Sequence, residues 1–89
     1  VKGGRMDDFL KEAARVAEPS RKEEGCSSYE YFVSGEGKNL VVFIEFWMDK
    51  EAITSHNGTK HFLTFQQAVD PLLSGAPEVS FYPGDPIQP

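Results

Sequence analysis

Residues 40–48, Leu-Val-Val-Phe-Ile-Glu-Phe-Trp-Met, are the most strongly patterned stretch of this 89-residue chain. Their β-branched and aromatic side chains are typical of a strand, in which successive side chains point to opposite faces of the sheet. One face receives Leu40, Val42, Ile44, Phe46 and Met48, and the other receives Val41, Phe43, Glu45 and Trp47. Because both faces are largely apolar, we expect both to be covered in the folded protein.

The residues before this strand predict a helix and a partner strand. Apolar residues spaced by three and four from Met6 to Ala17 indicate an amphipathic helix. Pro19 should kink this helix or start a new turn, and Gly25 suits the left-handed position just past its end. Cys26 to Val33 reads as a strand, and the Gly- and Ser-containing residues 34–39 predict the turn of an antiparallel hairpin.

The residues after the strand predict two helices and a last strand. Asp49 is the expected N-cap of a short helix from Lys50 to about Ser55. A second helix should start at Thr59 and end before Pro71. Residues 78–82 predict a final strand.

The predicted elements define an α+β fold. Their order is that of a ferredoxin-like sandwich whose opening strand is missing or truncated. Either Val1 and Lys2 are the remnant of that strand, or the arrangement is altered. We assign residues 1–82 to one domain and residues 83–89, which are rich in Pro, to an extended tail.

Composition excludes several classes of partner. The chain has 14 acidic and 9 basic side chains, so its net charge of -5 disfavours binding to nucleic acid. No apolar run approaches the roughly 20 residues that cross a membrane, and we recognise no signal peptide. Cys26 is the only cysteine and cannot form an internal disulfide, which favours a cytoplasmic location.

The two-faced strand predicts a homodimer. Two helices cover only one side of a small sheet, and leaving the other side in water would forgo roughly 1.5–3 kcal/mol for each large apolar side chain. Packing two sheets face to face about a twofold axis would bury both open faces. The alternative is a monomer whose sheet is sealed by an N-terminal segment.

Three polar residues are candidates for chemistry: Glu45, His56 and His61. Glu45 lies between aromatic residues, where a carboxylate is an acid/base group or polar anchor, or else a structural group bonded to backbone or to a basic side chain. The two histidines flank the predicted helix break and can exchange protons near neutral pH, although capping or surface roles are the alternative. Five residues on one helix correspond to about 140° of rotation, so we predict no metal site.

Four aromatic residues could line a flat pocket: Trp47, Phe43, Phe62 and Phe65. Their spacing is equally typical of core positions, so the pocket and the core remain alternative interpretations.

An ordered set of short motifs runs along almost the entire chain: Pro19-Ser20-Arg21, Glu24-Gly25-Cys26, Tyr29-Glu30, Phe43-Ile44-Glu45-Phe46-Trp47, Asp49, His56, His61-Phe62 and Pro71-Leu72-Leu73. Together they resemble the antibiotic biosynthesis monooxygenase family. The resemblance implies a dimeric α+β barrel built from two ferredoxin-like sheets. The N-terminus departs from the family pattern, in which a complete strand often carries a polar pocket residue.

The resemblance also implies a function, the oxidation of a small quinol-like aromatic with dioxygen and without flavin, metal or haem. On this hypothesis His56 or His61 is the base, Glu45 orients it, and the four aromatic residues stack on the substrate. Two alternatives stay open. One is a noncatalytic ligand-binding or stress-response dimer, and the other is an isomerase of a phosphorylated signalling sugar, with Lys60 and Arg21 as phosphate-binding candidates.

Overall fold

A computed structural model of the chain describes residues 1–82. Within them the elements follow in the order α1 (Met6–Arg21), β1 (Cys26–Val33), β2 (Val41–Trp47), α2 (Lys50–Asn57) and α3 (Lys60–Val69). A single 3-10 turn, Asp70–Leu72, follows α3. The predicted tail, residues 83–89, lies outside the described residues. No helix within residues 1–82 is long and apolar enough to cross a membrane.

The two strands form the predicted antiparallel hairpin. Tyr29 lies opposite Glu45 and Tyr31 lies opposite Phe43, so these side chains share one face of the sheet. The turn that joins the strands uses two left-handed residues, Gly37 at φ 71° and Asn39 at φ 44°. Both are residue types that tolerate this conformation, which explains why the chain reverses there.

The helices cover one face of this sheet and leave the other bare. The core joins α1, α3 and the inner face, and its buried apolar residues are Phe9, Ala13, Val16, Ala17, Tyr29, Val69 and Leu72. On the outer face Val42, Ile44 and Phe46 remain 46%, 46% and 42% exposed. The predicted alternation along β2 and the α+β architecture are therefore confirmed.

Phe43 is the centre of an aromatic cluster on the inner face. Its ring centroid lies 6.4 Å from Phe9, 5.9 Å from Tyr29, 5.5 Å from Tyr31 and 5.7 Å from Phe65. Three of these contacts are edge-to-face, the geometry that aromatic quadrupoles favour. The cluster fixes α1 and α3 on the hairpin.

Helix α1 continues through Pro19 to Arg21, so the alternative that the proline starts a new turn is wrong. Proline lacks an N–H, so the Arg15 carbonyl loses its helical donor. The next residue, Ser20, adds a bond of its own within the helix, because its buried hydroxyl donates to the Val16 carbonyl at 2.6 Å. The helix ends beyond Arg21, where the Lys22 N–H donates to the Pro19 carbonyl.

Gly25 does not take the predicted left-handed conformation. The positive φ angles at glycine within residues 1–82 occur at Gly4 and Gly37. Gly25 is required for a different reason, since a Cβ atom there would overlap the Ala52 Cβ of α2. The glycine thus allows the turn after α1 to lie directly on α2.

Both predicted helix starts after the hairpin are confirmed. The Asp49 side chain accepts a hydrogen bond from the Ala52 N–H at 2.8 Å, and Thr59 accepts one from the Phe62 N–H at 3.2 Å. Helix α2 continues to Asn57, two residues beyond the predicted end, and α3 stops before Pro71 as expected. This arrangement places one histidine on each side of the break.

The predicted final strand is absent from the described chain. Residues 78–82 form no strand, and Val79 and Phe81 are 69% and 66% exposed. In the ferredoxin-like pattern the opening strand lies centrally, so a last strand needs it as a neighbour. Here Lys2 donates its N–H to the Leu72 carbonyl and forms no strand, so the neighbour that the last strand would pair with is not formed within residues 1–82.

Candidate functional site

The helix break brings the two histidines together. His56 lies in the last turn of α2 and His61 in the first turn of α3, with ring centroids 5.9 Å apart. The Thr59 hydroxyl connects the two helices, because it donates to the His56 carbonyl at 2.7 Å while capping α3. The prediction that their spacing separates the histidines is wrong, since it assumed one continuous helix.

Glu23 completes a cluster with these histidines. Its Oε2 atom lies 2.6 Å from Nδ1 of His56 and 2.9 Å from Nε2 of His61. The three side chains are 16%, 3% and 24% exposed, respectively. One carboxylate oxygen therefore orients two imidazole rings in a largely buried site.

The sequence does not reveal Glu23 as a site residue, because the two histidines that it contacts lie 33 and 38 residues further along the chain. No local pattern connects a carboxylate in the turn after α1 with a helix break so far along the chain. The available signal was weaker: two consecutive acidic residues, Glu23 and Glu24, directly precede the glycine at which the chain turns into β1.

His56 is surrounded by aromatic rings. Its ring centroid lies 4.6 Å from Trp47, 4.9 Å from Phe62 and 5.8 Å from Tyr29. Its Nε2 atom is buried and has no hydrogen-bond partner among the described residues. When Nδ1 carries the proton and donates it to Glu23, Nε2 holds a lone pair that is free to accept a proton.

Glu45 contacts the cluster through a neighbour rather than directly. It lies on the inner face of β2 and accepts a hydrogen bond from Nε1 of Trp47 at 3.0 Å. Trp47 in turn lies against His56. Glu45 thus fixes the orientation of an aromatic ring beside the histidine, while Glu23 bonds the histidine itself.

The four predicted aromatic residues fall into two groups. Trp47 and Phe62 flank His56, whereas Phe43 and Phe65 belong to the core cluster with Phe9. Phe65 also reaches the surface beside His61. The structure therefore does not gather all four around one cavity.

Two clefts border the cluster from different sides. The first, about 410 Å³, is lined by His61, Phe65, Arg15 and Lys60 among others. The second, about 460 Å³, is lined in part by Glu23 and Trp47. Both volumes lie in the range of small-molecule sites.

The two basic residues considered for phosphate binding do not share one site. Lys60 lines the cleft beside His61. Arg21 instead donates to the Tyr29 carbonyl at 2.9 Å and pairs with Glu30 at 3.5 Å. Arg21 is therefore already engaged on the strand β1.

Two further groups near the cluster are held in their neutral forms. Burial, followed by the negative charge of Glu45, raises the pKa of Tyr29. Burial, followed by the charges of Glu23 and Glu45, raises the pKa of the Cys26 thiol. Neither side chain is an anion near neutral pH, so neither competes with the histidines as a base.

Comparison with known proteins identifies close relatives. The family model described as "Antibiotic biosynthesis monooxygenase" matches residues 1–68. The chain is 37% identical over 79 residues to "Putative monooxygenase YcnE" of Bacillus subtilis (strain 168), which covers 89% of this chain and 83% of that protein. It is 38% identical over 56 residues to "Putative monooxygenase Rv0793" of Mycobacterium tuberculosis, covering 63% of this chain but only 54% of that protein.

A solved structure shows the same fold. The structure of Rv0793 from Mycobacterium tuberculosis superposes with a TM-score of 0.82 at 27% identity and covers 90% of this chain and 82% of that structure. The predicted ferredoxin-like fold class is thereby confirmed.

Proposed function

Because the chain belongs to the antibiotic biosynthesis monooxygenase family, we propose that it is a cofactor-independent monooxygenase acting on a small quinol-like aromatic. The names of two relatives, both called putative monooxygenases, support this assignment. The observation that carries it is the buried His56, whose Nδ1 is 2.6 Å from Glu23 while its Nε2 has no partner within residues 1–82. This is the arrangement of a base oriented by a carboxylate.

The proposed chemistry needs only a base, orientation and a dry site. Nε2 of His56 accepts the proton of a substrate hydroxyl, and the resulting phenolate transfers an electron to dioxygen. Over the complete reaction a hydroquinone and O₂ give a hydroxyquinone and water. One oxygen atom enters the ring, the other is reduced to water, and the proton held by His56 is returned to that water.

Glu23 is the positioning residue in this scheme. Its carboxylate keeps the proton of the neutral His56 ring on Nδ1, so the lone pair lies on Nε2. It also stabilises the imidazolium that forms when Nε2 accepts a proton, as a carboxylate does in a catalytic triad. His61 shares the same carboxylate oxygen and supports its orientation.

Access to His56 requires movement of a neighbouring side chain. Nε2 has no exposed surface, so a substrate hydroxyl reaches it only after one of the surrounding rings shifts. Trp47 is the side chain suited to this role, because it both packs on His56 and lines the cleft of about 460 Å³. Such gating by a side chain or loop is common where water must be excluded.

The test is oxygen consumption with a panel of hydroquinones. We expect His56→Ala to lower kcat by about 10²–10⁴-fold, the contribution typical of a general base, while His61→Ala retains more activity. Far-UV circular dichroism would show that both variants are folded. Added imidazole, which fits the space left by the His56 ring, should restore part of the activity.

Two results would overturn this assignment. The first is a wild-type protein that consumes no oxygen with any member of the panel. The second is a folded His56→Ala variant that is as active as the wild type, which would move the base elsewhere.

We also propose that the protein functions as a homodimer. The outer face of the hairpin presents apolar residues from both strands, with Phe32 directly opposite Val42. Its exposed large apolar residues include Phe32, Leu40, Val42, Ile44, Phe46 and Met48. A contiguous apolar surface of this kind suits a second, identical sheet, since a twofold axis places the same surface on both partners.

A further inference from the structure

Beyond proton transfer, we infer that Glu23, His56 and His61 form a binding site for a divalent transition-metal ion of the zinc type. Each residue offers one ligand atom, and the three atoms lie within 4.8 Å of one another. Glu23 lies in the turn after α1, His56 on α2 and His61 on α3, so three separate parts of the fold converge on one point.

The donor atoms select the class of metal. Two imidazole nitrogens and one carboxylate oxygen suit zinc and neighbouring first-row divalent ions, whereas magnesium and calcium prefer oxygen ligands alone. A set of two histidines and one glutamate also leaves a coordination position open for water or another ligand. His61 and Glu23 each border a cleft, so such a ligand can enter from solvent.

The charge around Glu23 favours a cation. Its ion-pairing partners within residues 1–82 are His56 and His61, which are charged only when protonated. A carboxylate that is only 16% exposed is costly unless a positive charge or several donors compensate it. A divalent ion bound between the carboxylate and the two imidazole nitrogens would supply that charge.

Metal binding requires the ligand atoms to adjust, since the Glu23 oxygen is closer to each histidine than two zinc ligands are, while the three atoms as a set lie within 4.8 Å of one another. The Glu23 oxygen is 2.6 Å from His56 Nδ1 and 2.9 Å from His61 Nε2, which are hydrogen-bond distances. Tetrahedral zinc with bonds of about 2.0–2.1 Å places neighbouring ligand atoms roughly 3.3 Å apart. Because Glu23 lies in a turn rather than in a helix or strand, its side chain can withdraw by the roughly 0.4–0.7 Å needed, and rotation of the partly exposed His61 ring adjusts the spacing of the two histidine nitrogens.

A metal ion on Nδ1 of His56 would take the place of a proton on that atom. Coordination through Nδ1 requires the remaining proton of His56 to be on Nε2, where it faces aromatic rings instead of a hydrogen-bond acceptor. The metal-bound form and the form with a free Nε2 lone pair are therefore mutually exclusive. Bound metal should consequently inhibit the oxidation proposed above.

The experiment is a titration of the tag-free protein with Co²⁺, monitored by visible absorption. The chain contains only two histidines and one cysteine, so few other soft ligands can contribute. We expect one equivalent of Co²⁺ to give the intense bands of tetrahedral coordination, and Zn²⁺ but not Mg²⁺ to displace it. Since the readout needs no turnover, it can succeed or fail independently of the proposed reaction.

Three variants complete the test. Glu23→Gln keeps the size of the side chain but removes its charge, and we expect Co²⁺ affinity to fall at least about 10–100-fold. His61→Ala, a partly exposed position, should abolish the tetrahedral bands, while Cys26→Ser should leave them unchanged. Absence of Co²⁺ binding, or binding that survives both Glu23→Gln and His61→Ala, would overturn the inference.

Discussion

Among single residues, Gly25 shows a requirement for glycine that comes from close packing against a neighbour and not from its backbone angles. A side chain there would overlap Ala52, and the Gly25 carbonyl accepts a hydrogen bond from the Met48 N–H at 2.8 Å. The turn that carries Glu23 is thus held against both α2 and the end of β2. The position of Glu23 depends on this close approach.

Substitution of Gly25 should therefore destabilise the protein. We expect Gly25→Ala to lower the free energy of unfolding by about 1–3 kcal/mol, the usual cost of an added group in a tightly packed site. Urea denaturation would measure it. Gly75→Ala is the matched control, because nothing lies within 4 Å of a Cβ at that position and its φ angle is not positive. Equal stability of the two variants would contradict the close contact.

Individual site residues also differ in how far the sequence alone reveals them. His56 and His61 could be recognised as candidates because their chemistry and their place beside a helix break are local properties. Glu23 could not, since it looks like any exposed acidic residue of a turn until the fold brings it to the histidines. Gly25 was recognised as special, but for the wrong reason, because a left-handed turn and a close contact both require glycine.

At the scale of secondary-structure elements, Thr59 determines how α2 and α3 are joined. Its hydroxyl accepts from the Phe62 N–H and donates to the His56 carbonyl, so one side chain caps α3 and ties it to the last turn of α2. The relative position of the two histidines therefore depends on this residue.

Removal of this hydroxyl should weaken the junction. We expect Thr59→Ala to cost about 0.5–2 kcal/mol of stability, as for other helix N-caps, and Thr59→Ser to cost much less because it retains the oxygen. Thermal unfolding of the two variants side by side would measure the difference. If Thr59→Ser were as unstable as Thr59→Ala, the loss would lie in packing of the methyl group instead.

Helices and strands can be predicted from the sequence where the pattern that specifies them lies within the element or next to it. The alternation along β2 and the capping residues Asp49 and Thr59 fixed the hairpin and both helix starts, and the structure agrees. The prediction of a strand at residues 78–82 is wrong. A strand forms only when it pairs with another strand, and the sequence of these five residues does not show whether such a partner is present. Pro19 does not start a new turn, and buried residues of α1 lie on both sides of it, Ala17 before it and Ser20 after it.

At the scale of the whole molecule, the sheet is covered on one side only. Helices α1 and α3 bury the inner face, while Phe32, Val42, Ile44 and Phe46 on the outer face are 42–54% exposed. Because these side chains are about half exposed, burying the rest of them would contribute roughly 0.7–1.5 kcal/mol each, whereas the net charge of -5 opposes association only weakly at physiological salt. The balance favours pairing of two copies through this face.

Sedimentation velocity at micromolar concentration tests this pairing most directly. The wild-type protein should sediment at about twice the 9.9 kDa mass of one chain, and Ile44→Glu, which places a charge in the outer face, should sediment as a folded or partly folded single chain. Leu63→Glu is the matched control, because Leu63 is 47% exposed but lies on α3, away from that face, and it should remain dimeric. A wild-type protein that sediments as a stable single chain would contradict pairing through the outer face.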